Sequence, residues 1–256
     1  DVDDLAPCTK MKSLDLGGCS SLKNVDGLSE MAALEELSLL SCSALENIGG
    51  LANLTALKTL NISYCENVRD ADVFRNLSAL TTLDAGSLPV VEDLSIFGGL
   101  SALETLDLGY AASLKTTTGL DGCTALHTIK LDSCDALLNV DGLSAASGLV
   151  EVSLLRCQAL TNLDGLSGSA QLKKINIADC DSLNDAGALT SCGALEELFG
   201  LGDNGLTDVD FLKECTSLKS LSLGGYSFLE DLRVIENCTQ LTWLSIDWPS
   251  SLRTLD

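Results

Sequence analysis

Six cysteines at one fixed spacing are the residues best placed to do chemistry. Cys19, Cys42, Cys65, Cys134, Cys157 and Cys180 each follow an apolar "LxL"-type pair by three residues, as in "LDLGGCSSL" and "VSLLRCQAL". A second row, Cys8, Cys123, Cys192, Cys215 and Cys238, completes the 11 in the chain. Such thiols could form disulfides, hold zinc or act as nucleophiles. In-register neighbours in a sheet stand about 4.8 Å apart, wider than the ~3.8 Å Cβ separation a disulfide prefers. Zinc needs clustered ligands at short spacing, and the sequence has no CxxC and one histidine, His127. Nothing places a base beside one particular cysteine, as nucleophilic catalysis requires. The favoured reading is a ladder of buried thiols at turns, each a small hydrophobe with a weak S–H donor.

The cysteines belong to a 23-residue period that fills the chain. Counting from Met11, the first apolar residue recurs at Leu34, Leu57, Leu80, Leu103, Leu126, Leu149, Leu172, Leu195, Leu218 and Leu241 without insertion or deletion. Taking that residue as position 1, positions 4 and 6 are apolar between mostly polar neighbours, which predicts a short strand with one buried face. The six-cysteine row is position 9 and the second row position 21. Strands returning in one direction at this interval must form a parallel sheet. Apolar residues at every third position, 9 through 21, turn the return path inward, and its length suits a 3₁₀ or single-turn segment rather than a long helix. No repeat buries its leucines alone; stacking does that.

Through "LxxLxLxxCxxL" the whole chain resembles the leucine-rich repeats, specifically their cysteine-containing subclass. The resemblance implies an α/β solenoid with a curved parallel β-sheet on the concave side and short 3₁₀ or irregular returns. The longer cysteine-containing unit of F-box proteins carries a real helix. This shorter return is nearer the bacterial internalin type, and the unit with its following "xVxGL" is most similar to leucine-rich-repeat proteins of kinetoplastid protozoa. Residues 1–256 read as one domain of about eleven repeats starting at Met11, with a partial repeat over residues 1–10 and no polar caps. Uncapped ends predict a segment of a longer array, or ends that pack against something else.

Charge narrows the partners. Against 15 Lys+Arg stand 37 Asp+Glu, a net −22. That repels phosphate backbones and anionic membranes and favours a protein partner with a basic surface. No run of about 18 apolar residues suggests membrane insertion. No cofactor is expected. Eleven thiols suit an intracellular, reducing compartment, the cytoplasm first, with the cell surface as the alternative if the sequons at Asn53, Asn61, Asn76 and Asn237 carry glycans.

Position 14 is a row of Asn, Asp or Thr from Asn24 to Asp231, and position 16 adds Asp26, Asp72, Asp141, Asp164 and Asp210. Stacked carboxylates suit calcium, but Asn and Asp closing turns onto their own backbone explain the row more simply. Specificity then falls to residues that break the repeat on the sheet face, at positions 3, 5, 7 and 8: Tyr64, Tyr110, Lys130, Arg156, Lys174, Phe199, Trp243 and Trp248. Phe199, Phe211, Tyr226, Phe228, Trp243 and Trp248 cluster late in the chain, either filling a tapering core or covering a contact surface. Gly200 occupies an apolar slot, and Ala85 with Pro89 predict a bulge. The expected function is a non-enzymatic protein-interaction scaffold that can serve as a subunit of a larger complex. The alternatives are a substrate-recognition arm of an enzyme such as a ubiquitin ligase, and an internalin-type adhesin.

Overall fold

In a computed structural model describing residues 2–202, 204–224 and 231–247, each 23-residue period forms one turn of a coil. Eleven strands, from Ser13–Asp15 to Trp243–Asp247, form one sheet, each parallel to its chain neighbours. The register is the period itself: Leu14 faces Leu37, Leu60 faces Leu83, and Leu106 faces Ile129. Backbone pairing continues past the strands, with Leu16 N donating to Ser38 O at 2.8 Å and Gly18 N to Leu40 O at 2.7 Å.

Burial follows the positions. In the repeat starting at Leu57, the side chains of Leu57, Leu60, Ile62, Cys65, Val68 and Phe74 are all 0% exposed. Each buried Leu stabilises by roughly 1.5–3 kcal/mol, and only because the adjacent repeats cover it. Phe74 and Phe97, at position 18 of successive repeats, stack with ring centroids 5.5 Å apart.

Most return paths carry short 3₁₀ segments such as Asp26–Leu28, Asp141–Ala145 and Asp164–Leu166; those of the repeats starting at Leu80 and Leu103 carry none. Each enters from the position-14 side chain, whose oxygen accepts the N–H two residues on: Asn47 from Gly49 at 2.8 Å, Asp70 from Asp72 at 2.9 Å, Asp208 from Asp210 at 2.7 Å. Glycine at position 17 permits the close stacking, since a Cβ on Gly165 would meet Val140 O at 1.8 Å.

Two irregular units resolve differently. Gly200 takes a left-handed φ of +85°, and the following Leu201 rotates into the vacant apolar slot, fully buried. In the unit 83–94 the strand shows no bulge at Ala85, and the irregularity falls beyond Pro89, where the 3₁₀ segment of other repeats is missing. Thr82–Asp84 pairs in register on both sides, and Ala85 is buried with its N–H on Asp107 O at 2.8 Å.

Candidate functional site

The thiols come first. Five of the six position-9 cysteines are buried and donate across the repeat boundary to the position-6 carbonyl of the preceding turn. Cys42 Sγ reaches Leu16 O at 3.2 Å, Cys65 reaches Leu39 O at 3.2 Å, Cys134 reaches Leu108 O at 3.4 Å, Cys157 reaches Leu131 O at 3.1 Å and Cys180 reaches Leu154 O at 3.0 Å. In the second row Cys123 reaches back to Phe97 O at 3.2 Å and Cys238 to Leu212 O at 3.5 Å, whereas Cys215 bonds Phe211 O of its own repeat at 3.5 Å. Burial pushes the thiols up, to about 12 at Cys65, Cys134 and Cys215 and about 11 at Cys123 and Cys180. A thiol so raised is a poor nucleophile. Cys19 departs from the expectation of a uniformly buried row: it and Cys8 are exposed.

The Asn/Asp row is likewise committed to backbone, so its oxygens close turns. Among the described residues no group of three or more His, Cys, Asp or Glu is set to hold a metal ion.

The sheet face is different. Just past each strand, position 8 is held in the left-handed region in eight successive repeats: Gly18, Ser41, Tyr64, Ser87, Tyr110, Ser133, Arg156 and Asp179, with φ between 57° and 74°. Its N–H is pinned to the next repeat, as Tyr64 N on Gly86 O at 2.9 Å and Tyr110 N on Asp132 O at 2.7 Å. A non-glycine residue pays roughly 1–2 kcal/mol there, yet Tyr64, Tyr110 and Arg156 occupy it. The two tyrosine rings lean together across Ser87, centroids 6.4 Å apart, and are 46% and 54% exposed.

Below them lies a depression of about 310 Å³ whose lining includes Tyr64, Tyr110, Arg156, Asp84, Asp107 and Asp132. The carboxylates differ in support. Asp84 accepts from Ser63 Oγ and from Asn61 Nδ2 at 3.1 Å. Asp132 accepts from Ser153 Oγ and from Leu155 N at 3.0 Å. Asp107 accepts Gly109 N at 3.0 Å and stands directly opposite Asp84 in the sheet, a like-charge pairing that costs stability. Burial, with help from the Asp84 and Asp132 charges, raises the Asp107 carboxyl from its ordinary value, although the Gly109 N–H and Lys130 across the sheet oppose this.

Of the residues the sequence singles out, Tyr64, Tyr110 and Arg156 therefore line one depression. Arg156 Nε is paired with Asp179 Oδ2 at 3.1 Å. Lys130 faces Asp107 from the next strand. Lys174 lies between Glu151 at 3.6 Å and Glu197 at 3.8 Å, a rung in a cross-strand charge ladder. Phe199 and Trp243 form a second aromatic group, centroids 6.3 Å apart, with Trp243 48% exposed. Phe211 belongs to the core. Trp248, Tyr226 and Phe228 lie outside the described residues. Sequence reasoning missed Asp84, Asp107 and Asp132; the signal was aspartate replacing the Ser, Asn or Gly of neighbouring repeats at positions 5 and 7.

No family model and no curated protein matches the chain. Solved structures do. An internalin, InlF, from Listeria monocytogenes superposes with a TM-score of 0.81 over 97% of this chain and 71% of its own, at 23% identity. The fold is that of a leucine-rich-repeat solenoid. The mouse RP105/MD-1 complex matches with a TM-score of 0.63 over 95% of this chain and 44% of that one, at 22% identity. The functional domain of InlJ from L. monocytogenes, which includes a cysteine ladder, matches at 0.51 over 86% of this chain and 59% of that one, at 20% identity. In this solenoid the residues that break the repeat lie on the sheet face, whereas the thiol and Asn/Asp rows lie in the scaffold.

Proposed function

We propose that this chain is a non-enzymatic protein-interaction scaffold of the cysteine-containing, 23-residue leucine-rich-repeat subclass, binding a protein partner across its concave sheet face. The carrying observation is the Tyr64–Tyr110 pair. It is exposed, held in left-handed backbone and set over a carboxylate-lined depression, at a position the flanking repeats fill with serine, Ser41, Ser87 and Ser133. Aromatic side chains dominate interface energies, and a solenoid presents its variable residues on a regular support. The neighbour solved as a complex, RP105 with MD-1, supports protein binding by this fold. The net charge of −22 speaks against a phosphate backbone as the direct ligand and for a partner with a basic surface.

An intracellular, reducing setting suits the ladder of free thiols. At Asn61, the sequon on the sheet face, the side chain donates to Asp84 at 3.1 Å and accepts from Ser63 N at 3.0 Å, so a glycan would compete with both contacts. The internalin-type adhesin remains the second reading because InlF superposes along nearly the whole chain. The test places a photo-crosslinking residue at Thr105 on the sheet face or at Thr190 on the return path. Captured proteins are identified, and each purified pair is then reconstituted. The reading requires a partner that crosslinks through Thr105 and whose affinity falls on substitution of Tyr64 and Tyr110. A partner that crosslinks only through Thr190 would overturn it.

A further inference from the structure

We infer that the depression lined by Tyr64, Tyr110, Asp84, Asp107 and Asp132 takes the cationic side chain of an arginine or lysine carried by the protein partner. The inference rests on the proposed binding role of the concave face and adds the chemistry of the group recognised there.

Four observations converge on a cation. First, the lining is electrically unbalanced. Three carboxylates face the depression; among the described residues its lining cation, Arg156, is engaged by Asp179 of the following repeat, which leaves Lys130, opposite Asp107 in the sheet, as the one cation set against the three. Second, Asp84 and Asp107 are direct cross-strand neighbours, an unfavourable like-charge arrangement that a positive charge between them would relieve. Third, their satisfaction is graded. Asp84 and Asp132 take side-chain hydroxyl donors, while Asp107 accepts a single hydrogen bond, from Gly109 N–H, among the described residues. The burial and neighbouring charges that raise the Asp107 carboxyl are the conditions under which an added cation gains most. Fourth, the two tyrosine rings stand at the rim of the same depression. Ring faces attract a cation within about 6 Å of the centroid, most strongly when it is desolvated. Carboxylates and aromatic rings lining one depression discriminate a guanidinium or ammonium from a neutral side chain of the same length.

The competing account is a diffuse field: with a net −22, any polycation is attracted anywhere. The experiment separates the two. The intact chain is titrated with a glycine–arginine repeat peptide and with its neutral citrulline counterpart, reading heat and the ring resonances of Tyr64 and Tyr110. The expected result is arginine preferred over citrulline by tenfold or more, with both rings shifted. Asp107→Asn, which keeps the oxygen that accepts Gly109 N–H, should lower that preference about threefold or more. Tyr64→Asn with Tyr110→Asn, a side chain that tolerates the left-handed backbone, should lower arginine affinity by about threefold to thirtyfold. Replacing Asp121, Asp141 and Asp164 by Asn removes three exposed charges from the return path and should leave the preference intact. Circular dichroism confirms that each variant is folded. The inference is overturned if the citrulline peptide binds equally, if neither peptide binds, or if the return-path variant weakens binding as much as the site variants do. A Thr105-captured partner whose affinity ignores Asp107→Asn defeats this inference alone. Arginine binding here, with the natural partner captured only at Thr190, defeats the wider reading alone.

Discussion

The thiol ladder predicts a sharply divided alkylation pattern. A native chain at pH 8 is pulsed with iodoacetamide, quenched, unfolded and mapped by mass spectrometry. Nine thiols are buried and two, Cys8 and Cys19, are exposed. At pH 8 an unperturbed thiol, with a pKa near 8.5, is about one-quarter thiolate. A thiol pushed up to about 12, as at Cys65, Cys134 and Cys215, is about one part in ten thousand thiolate. Since only the thiolate reacts, the ionisation difference alone slows these three by roughly 10³-fold, and steric occlusion at 0% exposure slows them further. Being exposed, Cys8 and Cys19 should be labelled to completion before any third site appears. The remaining nine should become reactive together when urea unfolds the coil. Early labelling at Cys65, Cys134 or Cys157 in the folded chain would refute the buried ladder, and recovery of fewer than eleven alkylatable thiols without reductant would show that some are oxidised.

Four further outcomes follow from the packing. Cys157→Ala removes a buried sulfur whose S–H reaches Leu131 O at 3.1 Å; urea melts should show a loss of about 1–2 kcal/mol. Thr117 is buried with its hydroxyl lacking a partner among the described residues, so Thr117→Val should gain about 1 kcal/mol in the same assay. Gly165→Ala drives a Cβ to 1.8 Å from Val140 O and should cost about 2 kcal/mol or more. Glu35, bridging Lys12 and Lys58 at 2.6 Å each, has its carboxyl lowered to about 2 by those hydrogen bonds. A carboxyl lower in the folded than in the unfolded state stabilises above its unfolded value. Its contribution should thus be present at neutral pH and fade between about 4.5 and 2, as a Glu35 NMR titration with a midpoint near 2 would show.

Much of this architecture is legible in the residues. A strict period dictates a parallel sheet in register, and the alternation around Leu60 and Ile62 dictates which face is buried. Asn or Asp two residues before the 3₁₀ turn reads as turn closure because that side chain can cap its own backbone. What stays hidden is what depends on neighbouring coils. The left-handed backbone at position 8 is imposed by the hydrogen bond to the next repeat; Gly18 hints at it, whereas Tyr64, Tyr110 and Arg156 disguise it. The pairing of Asp84 with Asp107 is visible only once the strands are aligned. The expected bulge at Ala85 fails because a small residue can sit in the core without moving its backbone. At Gly200 the backbone does move, because an apolar slot without a side chain leaves a void that Leu201 fills.

The central claim is that the concave sheet face binds a protein partner through the Tyr64–Tyr110 site. The most direct measurement is the Kd of the reconstituted complex for the intact chain, for Tyr64→Asn with Tyr110→Asn, and for a matched return-path double, Thr190→Asn with Ser167→Asn. The account predicts at least tenfold weaker binding for the tyrosine pair and an unchanged Kd for the return-path pair. The reverse order, weak binding from the return-path pair and none lost from the tyrosines, would contradict it.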